Sequence, residues 1–412
     1  LVLTILAFPG LSRKTLQIIT IANHGHTFPK NGKIGKYITN KSTQYKVPEN
    51  SESKLYDQLT GNGMRMDYLL GKNLGQAYQE FLASEIKRID DISIVSSPFP
   101  ANSITAQNIL LGLLGPKFDT RKFFPYRGYS FPPFKGDLPV NKDIETALPA
   151  NYYPLPVHTT SQVYNDLFMA YSPSVCNWFA NLNKNSKQIL KKYIDEINQI
   201  ISQEPILQSL NSELQNKKGI LSAHVNSVEE IDDLINYLRS MRYFDQSFRL
   251  NMSVYYALTL THDIISSSFY FDKFGLQIIL TPILNHLTMQ INKMLLSREQ
   301  PLDKLTFPKF LLYSGHEIVV WAFLQAFHLS STSCLEDIYD RKIRDNCSMR
   351  PDYASSIVLE LFEDDDTGQV MIGECLLFGL TVRRLLQRKV HEQRHRAQHD
   401  RHPLLRLQKE LL

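Results

Sequence analysis

The chain has 412 residues, 43% of them hydrophobic, with 22 Phe and 20 Tyr. That excludes a disordered segment and suits one large domain with an insertion, or two domains. The formal charge of +4 is local, because residues 383–412 hold nine Lys and Arg against three Asp and Glu and the rest of the chain is slightly acidic. A folded basic face for nucleic acid is therefore excluded, and no run reaches the 18 apolar residues of a transmembrane span.

Residues 1–14 open with Leu1-Val2-Leu3-Thr4-Ile5-Leu6, which reads as the remnant of a signal peptide; a first buried strand is the other reading. A β-branched run, Leu16 to Ile21, predicts a strand that ends in the turn Asn23-His24-Gly25-His26-Thr27-Phe28-Pro29. A polar loop spans about 30–54. Leu69, Leu70, Leu74, Tyr78 and Phe81 then recur at helical spacing, Ile92 to Ser97 reads as a buried strand, and Thr105 to Leu114 as a helix stopped at Gly115-Pro116. Strand–turn–helix units of this kind predict an α/β core over 15–118.

Residues 119–160 are dense in Pro, Gly and aromatics and read as an irregular strip. Further on, Ile189, Tyr193, Ile197 and Ile201 make one amphipathic helical face. Residues 119–268 are thus expected to form a mostly helical cap inserted into the core. The core resumes over 269–367 with a helix from Gly275 to Leu296, a strand from Phe307 to Tyr313, a helix from Ile318 to Phe327 and a strand over 354–361. The expected architecture is α/β, with a mixed, mainly parallel central sheet flanked by helices. Glu363-Asp364-Asp365-Asp366 lacks the ligand spacing of a calcium loop and reads as a solvated turn. Residues 368–412 form an atypical basic tail, open to three readings: a juxtamembrane anchor, an amphipathic helix, or sequence under no structural constraint.

Four cysteines make neither a disulfide framework nor a metal motif. Cys334 and Cys347 bracket a polar loop and could bridge in an oxidising compartment, or be unrelated thiols. Asn40, Asn251 and Asn346 head glycosylation triplets. The expected route is secretory, to the lysosome or the exterior.

Chemistry gathers at two strand ends. His24 follows the first strand, and His316, with Glu317 next to it, follows a later one. Two such turns of one sheet can share a crevice. A nucleophilic imidazole, a donor imidazole and a carboxylic acid make a coherent set for group transfer.

The turn at 23–29 resembles the Arg-His-Gly-x-Arg-x-Pro signature of the histidine acid phosphatases. Further matches follow in order: Leu59-Thr60-x-x-Gly63-Met64-Arg65, then Ser96-Ser97 with Thr105-Ala106-Gln107-x-x-Leu110-x-Gly112-Leu113, and Pro154-x-Pro156-Val157-His158-Thr159. Tyr313-Ser314-Gly315-His316-Glu317 and Pro351-x-Tyr353-Ala354-Ser355-Ser356 complete the series. The resemblance implies a phosphohistidine on His24, a phosphate hydrogen bond from His316 and protonation of the leaving group by Glu317, where Asp is usual. It implies no cofactor, no metal and a small phosphorylated or other anionic ligand.

The three phosphate-binding arginines of the family fall on Asn23, Thr27 and Ala101. Phosphoryl transfer rests on positioning and charge stabilisation. Losing one such donor costs about 10²–10³ in rate. Asn23, Thr27 and His26 remain as candidate ligand contacts, with His26 a cation at acid pH and Lys30 and Lys33 close by. The expectation is a weak phosphomonoesterase; the alternative is an inactive pseudophosphatase that binds a ligand.

Overall fold

The computed structural model describes residues 13–29, 57–115, 155–161, 166–172, 174–179, 187–203, 228–244, 251–299, 307–340, 347–378 and 381–389. Residues 1–12, Lys30, Lys33 and the strip over 119–154 lie outside them, as do Asn40 and Asn346.

Strand β1 (Arg13–Asn23) is followed by helices α1 (Gly61–Ala77) and α2 (Gln79–Glu85), strand β2 (Ile92–Ser96) and helix α3 (Pro100–Leu114). A short β3 (His158–Thr159) precedes helices α4 (Asp166–Met169), α5 (Lys187–Gln203), α6 (Val228–Phe244), α7 (Met252–Tyr270) and α8 (Lys273–Glu299). Strand β4 (Phe310–Gly315) leads into α9 (Glu317–Ala326) and α10 (Thr332–Tyr339), and β5 (Ser356–Asp364), β6 (Val370–Phe378) and β7 (Thr381–Lys389) follow.

The sheet order is β3-β2-β4-β1-β5-β6-β7. It is parallel from β3 to β1 and antiparallel from β1 to β7. Because β1 lies between β4 and β5 with helices on both faces, its apolar run is continuous. Alternate residues serve two layers. Ile18, Ala22, Leu312 and Val358 pack with Leu70, Leu74, Ile109 and Leu113 of α1 and α3. Ile19, Ile21, Leu311 and Tyr313 pack with Ile197, Ile235, Ile264 and Leu280 of the long helices. The helices over 187–270 therefore share one core with the sheet. Helices α1 and α3 cross at backbone contact: a Cβ on Gly71 would run into the carbonyl of Ile109.

Cys334 and Cys347 are bridged, with Cα atoms 5.9 Å apart. A bridge closing a loop of this size is worth about 3 kcal/mol in the chain-entropy account. It ties α10 to the segment that carries Arg350. Residues 370–378 and 381–389 correct the expectation of an anchor, an amphipathic helix or an unconstrained tail, because they extend the sheet as antiparallel strands. Between β5 and β6, Asp364 Oδ1 accepts from the backbone N–H groups of Asp366 and Thr367, so the acidic run is a turn. Among the described residues no helix is long and apolar enough to cross a membrane.

Candidate active site

Strand register brings the two histidines together. Asn23 of β1 pairs with Gly315 of β4, so His24 and His316 leave neighbouring C-terminal strand ends side by side. Their rings lie 6.1 Å apart, edge to face. Ser96 of β2 pairs with Ser314, which delivers Ser97, whose Oγ lies 3.1 Å from His316 Nε2. His24 Nδ1–H donates to the carbonyl of Gly25 at 2.8 Å. A carbonyl only accepts, so this bond fixes the tautomer with the lone pair on Nε2.

The turn after His24 packs on the start of α1. The carbonyl of His26 accepts from the N–H of Thr60, and Phe28 N–H donates to the carbonyl of Gln58. Gly25 is required here because a Cβ would meet the carbonyl of Gly63 and the Asp67 carboxyl. Beneath it, Thr105 Oγ1–H donates to Asp67 Oδ2 at 2.7 Å, and Thr105 Oγ1 lies 3.4 Å from Gly25 N. Burial pushes the Asp67 carboxyl up from 3.8 to about 8.

His26 is fully buried. Its Nδ1 lies 2.7 Å from Thr60 Oγ1, and Nε2–H donates to the carbonyl of Ser240 at 3.0 Å. Burial lowers its pKa from 6.5 to about 4, so the cation expected at acid pH forms only below about 4. Asn23 is also buried, and its Nδ2 donates to the carbonyl of Asp352 at 3.1 Å. Thr27 and Ala101 line a cleft of about 310 Å³ together with His24, His316 and Glu317.

That cleft contains two arginines the sequence expectations missed. Arg239 comes from α6, and Arg350 from the segment between the disulfide and β5. Both grip Glu317: Arg239 Nη1 donates to Oε2 at 2.7 Å, and Arg350 Nη2 donates to Oε1. Arg239 Nη2 also donates to the carbonyl of Pro351 at 2.9 Å and lies 3.4 Å from Asp352 Oδ1. Arg350 Nη1 lies 3.0 Å from Nδ1 of His262, whose Nε2 is 3.2 Å from Asp232 Oδ1. One carboxylate thus occupies two guanidiniums. Two guanidiniums stabilise the charged form of a carboxyl group, and a carboxylate has no proton to give.

Asp232, Asn236 and Arg239 recur at spacings of four and three on α6, between the core residues Ile231, Ile235 and Leu238. A polar stripe along a packed helix was the available signal for them. Arg350 immediately precedes the Pro351-x-Tyr353 match.

The buried pair makes stability depend on pH. Native Asp67 keeps a proton that the unfolded chain releases above about 4, so its contribution is present in acid and lost as pH rises toward about 8. Native His26 refuses a proton that the unfolded chain takes below 6.5, so its contribution is lost as pH falls from 6.5 to about 4. Between about 4 and 6.5 the two slopes oppose each other. From 6.5 to 8 Asp67 acts alone, with an expected loss of about 2 kcal/mol at roughly 1.4 kcal/mol per pH unit. Urea melts at pH 5, 6.5 and 8 measure it, and Asp67→Asn should abolish the fall above 6.5. An unchanged fall in that variant places its origin elsewhere.

A histidine pair at the parallel strand ends of a three-layer α/β/α fold defines a protein of the histidine-phosphatase type. The profile of the histidine phosphatase superfamily (branch 2) matches residues 17–372, and the chain belongs to that family. Among solved structures, the Klebsiella sp ASR1 phytase superposes with a TM-score of 0.55 at 12% identity, over 97% of this chain and 95% of that one. The phytase from Citrobacter braakii gives 0.54 at 12%, over 88% and 85%. The Bifidobacterium longum multiple inositol polyphosphate phosphatase, solved with inositol hexasulfate, gives 0.50 at 10%, over 88% and 86%. At such identities the likeness is one of fold. No curated protein matches the sequence.

Proposed function

We propose that this protein is a largely silenced member of its family, a ligand-binding pseudophosphatase rather than an efficient phosphomonoesterase. The observation that carries this reading is the carboxylate of Glu317 held between Arg239 and Arg350. The acid meant for the leaving group is engaged, and the two cleft guanidiniums already hold an anion. Asn23, Thr27 and Ala101 supply no replacement charge. Turnover of an aryl phosphate at pH 5 is expected to match that of a His24→Ala control. A rate 100-fold or more above the control overturns the reading.

One observation favours a second reading, slow hydrolysis through His24. Its Nδ1–H bond to Gly25 leaves Nε2 as the nucleophile, as a phosphohistidine route requires. His316 would then contact the phosphoryl group and Glu317 would protonate the alcohol. Trapping of a labelled phosphoryl group on the native chain, absent in His24→Ala, supports this second reading. A secreted or lysosomal location is proposed with either; the disulfide and the exposed Asn251 triplet support passage through an oxidising, glycosylating compartment.

A further inference from the structure

The Asp67 carboxyl enters neither reading above, yet it lies directly beneath the turn that carries His24. Thr60, Gly63 and Asp67 are spaced by three and four residues, so they share one face of α1 and its N-cap. That face runs along the turn. The N–H of Thr60 donates to the carbonyl of His26 at 3.0 Å. A Cβ on Gly63 would strike that same carbonyl, and a Cβ on Gly25 would come within 2.8 Å of Asp67 Oδ1.

Thr105 of α3 closes the packing from the other side. Its Oγ1–H donates to Asp67 Oδ2 at 2.7 Å, and its Oγ1 accepts from Gly25 N–H at 3.4 Å. Both side chains are fully buried. Burial holds Asp67 in its acid form at neutral pH, although Thr105 and the Gly25 N–H favour the charged one. The helix face therefore places no carboxylate under the turn. Gly25 is the residue of the turn with the most conformational freedom, and its carbonyl accepts His24 Nδ1–H. That carbonyl is anchored on both sides, at Gly25 N by Thr105 and at the His26 carbonyl by Thr60. A continuous path thus runs from Asp67 through Thr105 and Gly25 to the His24 ring.

We propose that Asp67 and Thr105 are positioning residues for His24: together they aim the Gly25 carbonyl so that the imidazole keeps its proton on Nδ1 and its lone pair on Nε2. The inference rests on the second reading above, in which His24 is the nucleophile. Two measurements on the full chain at pH 7.5 test it. One is the ring-nitrogen spectrum of His24 in protein carrying isotope-labelled histidine, assigned with His24→Ala. The other is the rate of phosphoryl trapping, in which the P–O bond of an aryl phosphate breaks, an Nε2–P bond forms and the phenolate leaves. The native chain is expected to show the Nδ1–H form alone. Thr105→Val keeps the branched shape without the hydroxyl; it should mix in the Nε2–H form and slow trapping at least about tenfold. Thr105→Ser and Asp67→Asn should keep the native pattern, because each retains a neutral hydrogen-bonding group. Asp67→Leu should match Thr105→Val, which decides alone if the leucine variant fails to fold. A merely structural role would lower the melting temperature and leave the tautomer unchanged, and that result overturns the proposal. A loss that Thr105→Ser does not rescue overturns it too. Absence of trapping in the native chain sinks only the slow-hydrolysis reading, since the ring-nitrogen spectrum still reports. Trapping abolished by His24→Ala but unmoved by Thr105→Val sinks only this proposal.

Discussion

Glu317→Gln is expected to destabilise the protein by about 3–5 kcal/mol in phosphate-free buffer and to convert the cleft into an anion site. Removing one partner of a buried ion pair leaves the other charge uncompensated, and that is the costly case. Here one carboxylate serves both Arg239 and Arg350, whose side chains are each only 9% exposed. The amide can accept a hydrogen bond from one guanidinium but cancels neither charge. Orthophosphate or sulfate should then fill the position the carboxylate held. A ligand at 100 times its dissociation constant restores about 2.7 kcal/mol, so the variant's melting temperature should climb steeply with phosphate. The native chain should respond weakly over the same range. Equal phosphate stabilisation of both proteins would mean that Glu317 does not block the arginines.

The second large effect concerns the lost signature charges. Thr27 and Ala101 line the cleft, so arginines at both positions can project into it. The double variant Thr27→Arg/Ala101→Arg is expected to fold and to raise kcat/KM on an aryl phosphate by at least about 10²-fold, the worth of one restored charge donor. Asn23 differs. It is 1% exposed, outside the cleft lining, and bonded to the carbonyl of Asp352. Arginine there must overpack the strand end, at about 1–3 kcal/mol, and bury a further charge. The triple variant should therefore melt well below the double one and gain no rate over it. A triple variant that is both stable and faster would show that the strand end has room for the family's first arginine. Turnover with matched thermal melts separates these outcomes.

Much of this fold was legible in order along the chain. The apolar run of β1 predicts a strand, and the sheet order places it centrally, covered on both faces. The turn at Asn23 to Pro29 and the segment from Tyr313 to Glu317 announce their histidines by position at strand ends. The cysteine pair was visible but undecided, since the spacing of Cys334 and Cys347 allows a bridge without requiring one. Residues 370–389 misled because a Leu-, Val- and Arg-rich stretch has no single period, and strand identity there depends on pairing with β5. His26 misled differently. Its place inside a signature suggested a ligand contact, but burial against Thr60 and Ser240 decides its charge.

The amino-acid sequence by itself determined the family, the α/β alternation, and the presence of His24, His316 and Glu317 without the signature arginines. Those are local properties, written in neighbouring residues and in hydrophobic period. Only the tertiary structure decided that Arg239 and Arg350, distant in sequence from His24, meet at Glu317 and share its carboxylate. Charge balance in a cleft is a sum over groups from separate elements, and no local pattern carries that sum.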